Sequence, residues 1–174
     1  MLLKLLADFK SHMFESRSLL GGSFVAFFST GFWVCFYYRL ARSILRVPIL
    51  GKGLSFAICF IPKTLWGCYI SPRADISGGL CLPHPIGIVI GRGVRIGSGV
   101  RIYQHVTLGS SKRLANNYPS VGDGSILFAG SVLIGDISIG DGAVVGANSV
   151  VLIDVPPRSV AAGNPARVVR RELL

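Results

Sequence analysis

Acidic side chains are scarce in this sequence. Eight Asp and Glu face 18 Lys and Arg, for a formal charge of +10. Such an excess suits an anionic partner, whether a membrane surface, a nucleic acid or a phosphorylated ligand. Nucleic acid is set aside, because no aromatic and basic residues interleave as in RNA-recognition modules and no metal-finger spacing occurs. The four cysteines, Cys35, Cys59, Cys68 and Cys81, form no CxxC pair and each lies in an apolar run. They read as small buried hydrophobes in a reducing compartment, not as a disulfide framework. A GxSxG nucleophile motif is missing, which argues against covalent catalysis. No cleavable leader with a small-residue cleavage site precedes an apolar core, so a cytosolic location is expected.

What is present is greasy. The 174 residues are 51% hydrophobic with mean hydropathy +0.58, and they suffice for one functional unit. Residues 1–69 hold eight Lys and Arg against Asp8 and Glu15, so the most apolar part is also the most basic. Leu19 to Tyr38 is uncharged for twenty residues, long enough to raise a membrane span. Ser29, Thr30 and Gly31 interrupt it where a helix break and a new N-cap belong. Two or more helices that pack on the remainder or lie on a membrane are therefore expected. A second apolar stretch, Leu54 to Trp66, is split by Pro62 and Lys63 and is too short to cross.

From Ile70 to Val155 an aliphatic residue recurs every six positions. Val121, Leu127, Leu133, Ile139, Val145 and Val151 fall in unbroken register. Ile70, Ile76 and Leu82 precede Ile90, Ile96, Ile102 and Leu108, with two extra residues between Leu82 and Ile90. Small or modest residues follow four positions on, among them Ala74, Val94, Val100, Val106, Ser125, Ser131, Ala143 and Ser149. This period fits neither an amphipathic helix nor a hairpin meander. It predicts a mainly β fold, a parallel β-helix of about four to five triangular coils, three hexads to a coil, with Gly, Asn and Asp at the corners. A collagen-like or disordered segment is excluded, because Gly does not recur every third residue and keeps apolar company. The expected units are an apolar basic helical region over 1–69, the coil over 70–155 with an outward loop at 109–120, and a tail over 156–174 that begins at Pro156 and Pro157.

Three histidines exist, and two lie inside the repeat: His84 in LPHPIG and His105 in IYQHVT. Imidazole is the natural general base for a hydroxyl near neutral pH. The two are 21 residues apart, of which two belong to the extra pair after Leu82, leaving 19 against an 18-residue coil. They should share one corner on successive coils, about 4.8 Å apart. No metal site is expected, since two histidines without a third ligand fall short of a catalytic zinc. His12 lies outside the repeat and is a poor candidate.

GGLCLPHPIGIVIG, VRIYQHVTLGS, IGDGAVVGANSVVLIDVPPRS and AAGNPARVV together resemble the serine acetyltransferase-like hexapeptide-repeat acyltransferases. The resemblance spans about Gly31 to Arg171. It implies a left-handed β-helix, a homotrimer with active sites between subunits, and acetyl-CoA laid along a groove between coils. On that basis His84 is the catalytic base, while His105, placed by the residue count, is either its companion or a surface corner residue. Gly109, Ala129, Ala147, Gly163 and Pro165 match the CoA groove, and Lys112, Arg113 and Arg167 are phosphate partners. The departures concern the acceptor. Pro83 precedes His84 where the serine enzymes carry Asp, and Asn117-Tyr118-Pro119 stands where they carry Arg-His-Pro. Tyr69 occupies the place of the acidic residue that steadies the histidine, which leaves Tyr69, a backbone carbonyl or His105 to orient His84. Losing a carboxylate and an arginine would leave a zwitterion unpaired. A sugar hydroxyl of a cell-surface polysaccharide or its precursor is therefore the first expectation, with 1–69 offered to the inner face of the cell membrane. L-Serine is the second, and a non-catalytic β-helix scaffold the third.

Overall fold

The computed structural model describes residues 1–13, 19–111 and 117–170. Four helices come first: α1 (Leu2–His12), α2 (Leu19–Phe28), α3 (Thr30–Ile44) and α4 (Gly51–Trp66). The break expected inside the long uncharged run is there. Ser29 is extended and occupies the N-cap position of α3, so α2 and α3 meet at 63°. Among the described residues no single helix is long and apolar enough to cross a membrane. Pro62 does not divide the next segment, because α4 continues through it to Trp66. Gly67, at φ +60, then turns the chain into the coil.

The strands are short: β1 (Tyr69–Ile70), β2 (Asp75–Ile76), β3 (Val89–Ile90), β4 (Arg95–Ile96), β5 (Arg101–Ile102), β6 (Thr107–Gly109), β7 (Ser120–Val121), β8 (Ile126–Leu127), β9 (Val132–Ile134), β10 (Ser138–Ile139), β11 (Val144–Val145), β12 (Val150–Val151), β13 (Val160–Gly163) and β14 (Ala166–Arg170). They stack as three sheets, β1-β3-β6-β9-β12, β2-β4-β7-β10 and β5-β8-β11-β13-β14. All pairings are parallel except β13 with β14. The result is a left-handed β-helix. Each hexad places one aliphatic side chain inward. Ile70, Ile90, Leu108, Leu133 and Val151 form one interior ladder, and Leu82, Ile102, Leu127, Val145 and Ala161 another, all buried. Burial of each larger side chain contributes about 1.5–3 kcal/mol. The residues four positions on are buried as well.

Two corners turn through left-handed backbone. One column is Gly67, Gly87, His105, Gly130 and Asn148, at φ +60, +66, +59, +72 and +55. The N–H of Gly87, His105, Gly130 and Asn148 each donates to a carbonyl one coil back. The chain does not leave the coil at Pro156. Val155 still bridges to Ile139, β13 extends the third sheet, and β14 folds back on it as a hairpin.

The helices are bolted to the coil by polar contacts. Asp8 accepts the Gly79 and Leu80 N–H groups at 2.9 and 3.0 Å and ion-pairs with Arg39 at 2.9 Å, both side chains being buried. Arg39 also donates to the Ile76 carbonyl, Tyr38 to the Ala74 carbonyl, and Arg42 pairs with Asp75.

Candidate active site

His84 belongs to the irregular turn that the two extra residues create, and its side chain is exposed. The turn closes on itself, with the Ile86 N–H donating to the His84 carbonyl at 2.8 Å. Beside it opens a cavity of roughly 370 Å³. The coil supplies Cys81, Pro83 and His84 from one turn and Arg101 and Tyr103 from the next, while Ser11, His12 and Ser29 close the helical side. The Tyr103 ring stacks on Phe128 at 5.2 Å. Burial pushes the Cys81 thiol upward, against the opposing pull of Arg101.

His12 corrects the sequence reading, because it lines this cavity despite lying far away in the chain. It is no free base. Nδ1 donates to the Asp8 carbonyl at 2.7 Å, and Nε2 accepts the Leu82 N–H at 3.1 Å. Burial pushes its pKa below 6.5, outweighing the contacts with Asp8. His12 is thus a neutral pin between α1 and the strand end that leads into His84.

His105 stands on the left-handed corner one coil beyond Gly87, so the corner that the residue count assigned to both histidines holds Gly87 in place of His84. Its N–H donates to the Ile86 carbonyl at 2.8 Å, and its ring lies so close over Gly87 that a Cβ there would collide with Nδ1. The imidazole is exposed but does not line the His84 cavity. No hydrogen bond joins the two rings among the described residues. His105 is a non-glycine residue at φ +59 in a column otherwise built from Gly and Asn, as Arg158 is at φ +52 on the other left-handed corner. Gln104 beside it has a buried side-chain oxygen with no partner among the described residues. Tyr69 lines a different cavity, together with Arg73 and Arg92.

Two of the remaining site residues adjoin the corner column of His105, since Ala129 precedes Gly130 and Ala147 precedes Asn148. Ala129 and Ala147 sit one coil apart, joined by the Asn148 N–H to the Ala129 carbonyl at 2.9 Å. Gly163 ends β13 and Pro165 begins the return, after a cis peptide bond from Asn164. Arg167 is exposed on β14. Gly109 ends β6, at the far side of the first sheet. Lys112 and Arg113 lie outside the described residues. The base of the outward loop is anchored by Tyr118, whose ring covers Gly91 and Gly93 so closely that no side chain would fit at either. Among the described residues no group of three or more His, Cys, Asp or Glu side chains could hold a metal ion.

Comparison with known proteins agrees with this architecture. The family model described as bacterial transferase hexapeptide (six repeats) matches residues 118–152. The soybean serine acetyltransferase apoenzyme superposes with a TM-score of 0.87 at 37% identity, over 96% of this chain and 68% of that one. The chain belongs to the serine acetyltransferase-like hexapeptide-repeat transferases. A structure of serine acetyltransferase in complex with CoA aligns with this family member at a TM-score of 0.85 and 31% identity, over 95% and 68% of the two chains. Probable serine acetyltransferase 1 of Oryza sativa subsp. japonica is 48% identical over 119 residues, which are 68% of this hexapeptide-repeat transferase and 39% of the rice protein. The chain therefore spans well under half the length of the curated relatives it matches.

Proposed function

We propose that the protein is an acetyl-CoA-dependent O-acetyltransferase, an acyltransferase that moves acetyl to a hydroxyl with His84 as general base. The observation that carries this reading is an exposed imidazole, on a turn pinned from both sides, at the mouth of a cavity in a serine acetyltransferase fold. The His84 imidazole takes the proton of the acceptor hydroxyl as its oxygen attacks the thioester carbonyl. The tetrahedral intermediate then expels the CoA thiolate, which receives that proton from His84. Such a base contributes typically about 10² to 10⁴ in rate. Backbone N–H groups at the glycine-rich corners are the available donors to the oxyanion. Ala129, Ala147 and Gly163 keep the backbone edge open for the pantetheine arm, with Arg167 and Lys112 as phosphate partners and Gly109 and Pro165 beside the groove. His105 stands as a second catalytic candidate, and the working unit is a homotrimer.

L-Serine leads as the acceptor. The relatives at hand are serine acetyltransferases, and they reverse the order reached from the sequence, where a polysaccharide sugar came first. A specific residue keeps the sugar as the second reading. Pro83 offers neither charge nor N–H beside His84, where an ammonium group needs a carboxylate. CoA release from acetyl-CoA, followed with a thiol reagent, separates the two when L-serine is run beside hexoses, amino sugars and nucleotide sugars with His84→Ala as control. Serine-dependent release supports the first reading, and release with a sugar alone replaces it. Absence of release with every acceptor, together with no stabilisation by acetyl-CoA, leaves a non-catalytic scaffold.

A further inference from the structure

The outward face of α4 is apolar. Gly51, Ser55, Cys59 and Pro62 are buried, Gly51 against Ile44 at the end of α3 and Val47 beyond it, while Leu54, Phe56, Phe60, Ile61 and Leu65 are exposed, Phe56 to 75%. A helix on the surface of a water-soluble domain normally shows polar side chains there. The charged residues of α4 are Lys52 and Lys63. Ile49 and Leu50 extend the patch before the helix begins. Around it the chain has no Asp or Glu from residue 16 to residue 74, against seven Lys and Arg.

At the edge of this face, α4 and the first coil enclose a second cavity, of roughly 260 Å³, that shares no lining residue with the His84 cavity. Lys52, Arg73 and Arg92 rim it and Phe56 and Tyr69 wall it. None of the three cations is paired with a carboxylate among the described residues. Ser55 lines the cavity too. It is 1% exposed, and its hydroxyl has no hydrogen-bond partner among the described residues. A buried orphan hydroxyl amid unpaired cations is the donor set of an anion site.

We propose that this cavity and the outer face of α4 form a docking site for a bilayer containing anionic phospholipid. The phosphate headgroup enters among Lys52, Arg73, Arg92 and the Ser55 hydroxyl, and Phe56, Phe60 and Leu65 lie in the acyl boundary. The helix rests in the plane of the surface, the habit of amphipathic segments with cations on the flank. Charge decides the occupant. A second copy meeting this face through the same face would set two acid-free, cation-rimmed helices against each other, whereas an anionic leaflet complements them. The proposal does not depend on the acetyltransferase reading.

Flotation of the full-length chain with vesicles tests it, using phosphatidylglycerol in phosphatidylcholine against phosphatidylcholine alone. Binding is expected only to the anionic vesicles. The combined change Lys52→Glu, Arg73→Glu and Arg92→Glu should lower partitioning about a hundredfold, at roughly fivefold per cation. The equal charge change Lys10→Glu, Arg95→Glu and Arg158→Glu should cost less than tenfold. Phe56→Ser with Phe60→Ser, both exposed, should abolish flotation and leave Tm unchanged. Equal binding to neutral vesicles, or equal losses in the two charge triples, would overturn the proposal. So would displacement from vesicles by inorganic phosphate at matched ionic strength, which marks a soluble-anion site. A change of sedimenting mass in the Phe56→Ser, Phe60→Ser variant with flotation intact would assign the face to a second copy instead.

Discussion

Removal of the Asp8 carboxylate should unfasten the helical region from the coil. Its oxygens accept the Gly79 and Leu80 N–H groups at 2.9 and 3.0 Å and the Arg39 guanidinium at 2.9 and 3.1 Å. Asp8→Ala leaves a buried guanidinium unpaired and strands two backbone donors, for a cost of about 3–5 kcal/mol. That is a large part of a typical total of about 5–15 kcal/mol. Arg39→Met alone, which leaves the carboxylate buried, should cost a similar amount. Asp8→Leu combined with Arg39→Met removes both charges and leaves mainly the two orphaned N–H groups, about 1–3 kcal/mol each. The double change should therefore be far less damaging than the sum of the single ones. Urea unfolding followed by circular dichroism, with equal m-values, provides the numbers. A loss below about 1 kcal/mol for Asp8→Ala, or additivity across the cycle, refutes the view that this pair fastens α1 to the coil.

His84→Ala should reduce acetyl transfer about 10² to 10⁴-fold while stability stays within about 0.5 kcal/mol, because the side chain is exposed; steady-state kinetics and Tm on one sample check both. His105→Gly should hold stability within about 1 kcal/mol of the parent, whereas His105→Val at φ +59 should lose more than that in the same melts. If His105→Gly keeps full kcat, His105 has no part in the chemistry. Neutral His12 has a folded pKa below 6.5, so its contribution is complete above pH 6.5 and is lost as pH falls from there toward the folded value. Stability measured between pH 7.5 and 5 should show this slope, at most about 1.4 kcal/mol per pH unit, and His12→Gln should flatten it.

The coil was legible because a single rule writes it. An interior one side chain wide accepts an aliphatic residue at each sixth position, and all the residues from Ile70 to Val155 that were expected inside are inside. Counting placed His84 and His105 on one corner of successive coils, but the residue beneath His105 in that column is Gly87, because His84 lies within the irregular turn three residues earlier. The helix break at Ser29 followed from its capping chemistry. The hairpin after Pro156 was missed, because an antiparallel return carries no six-residue period. Pro62 also misled, since the helix tolerates it at a buried position. The cavity was out of reach for a different reason. His12 meets Leu82 across 70 positions, and no local pattern announces such a contact. One usable signal went unread: His105 occupies a column whose other members are Gly and Asn, the residues that left-handed corners favour.

The turn that carries His84 is fixed almost everywhere except at His84. Arg39 holds the Ile76 carbonyl, Asp8 holds Gly79 and Leu80, and His12 holds Leu82. Beyond the turn, the Trp66 carbonyl receives Gly87, and the Ile86 carbonyl receives His105. Effective general bases need such placement, because small errors of position cost large factors in rate. The coil alone does not supply it, since Asp8, His12 and Arg39, three of these five partners, lie on α1 and α3. On the proposed reading of His84 as the base, the helical region is thus part of what positions it. The residues facing the acceptor side, Ser29, Pro83, Arg101 and Tyr103, are in turn not inward members of the aliphatic ladders. Under the proposed function, acceptor preference can therefore change at those positions without disturbing the aliphatic ladders of the coil.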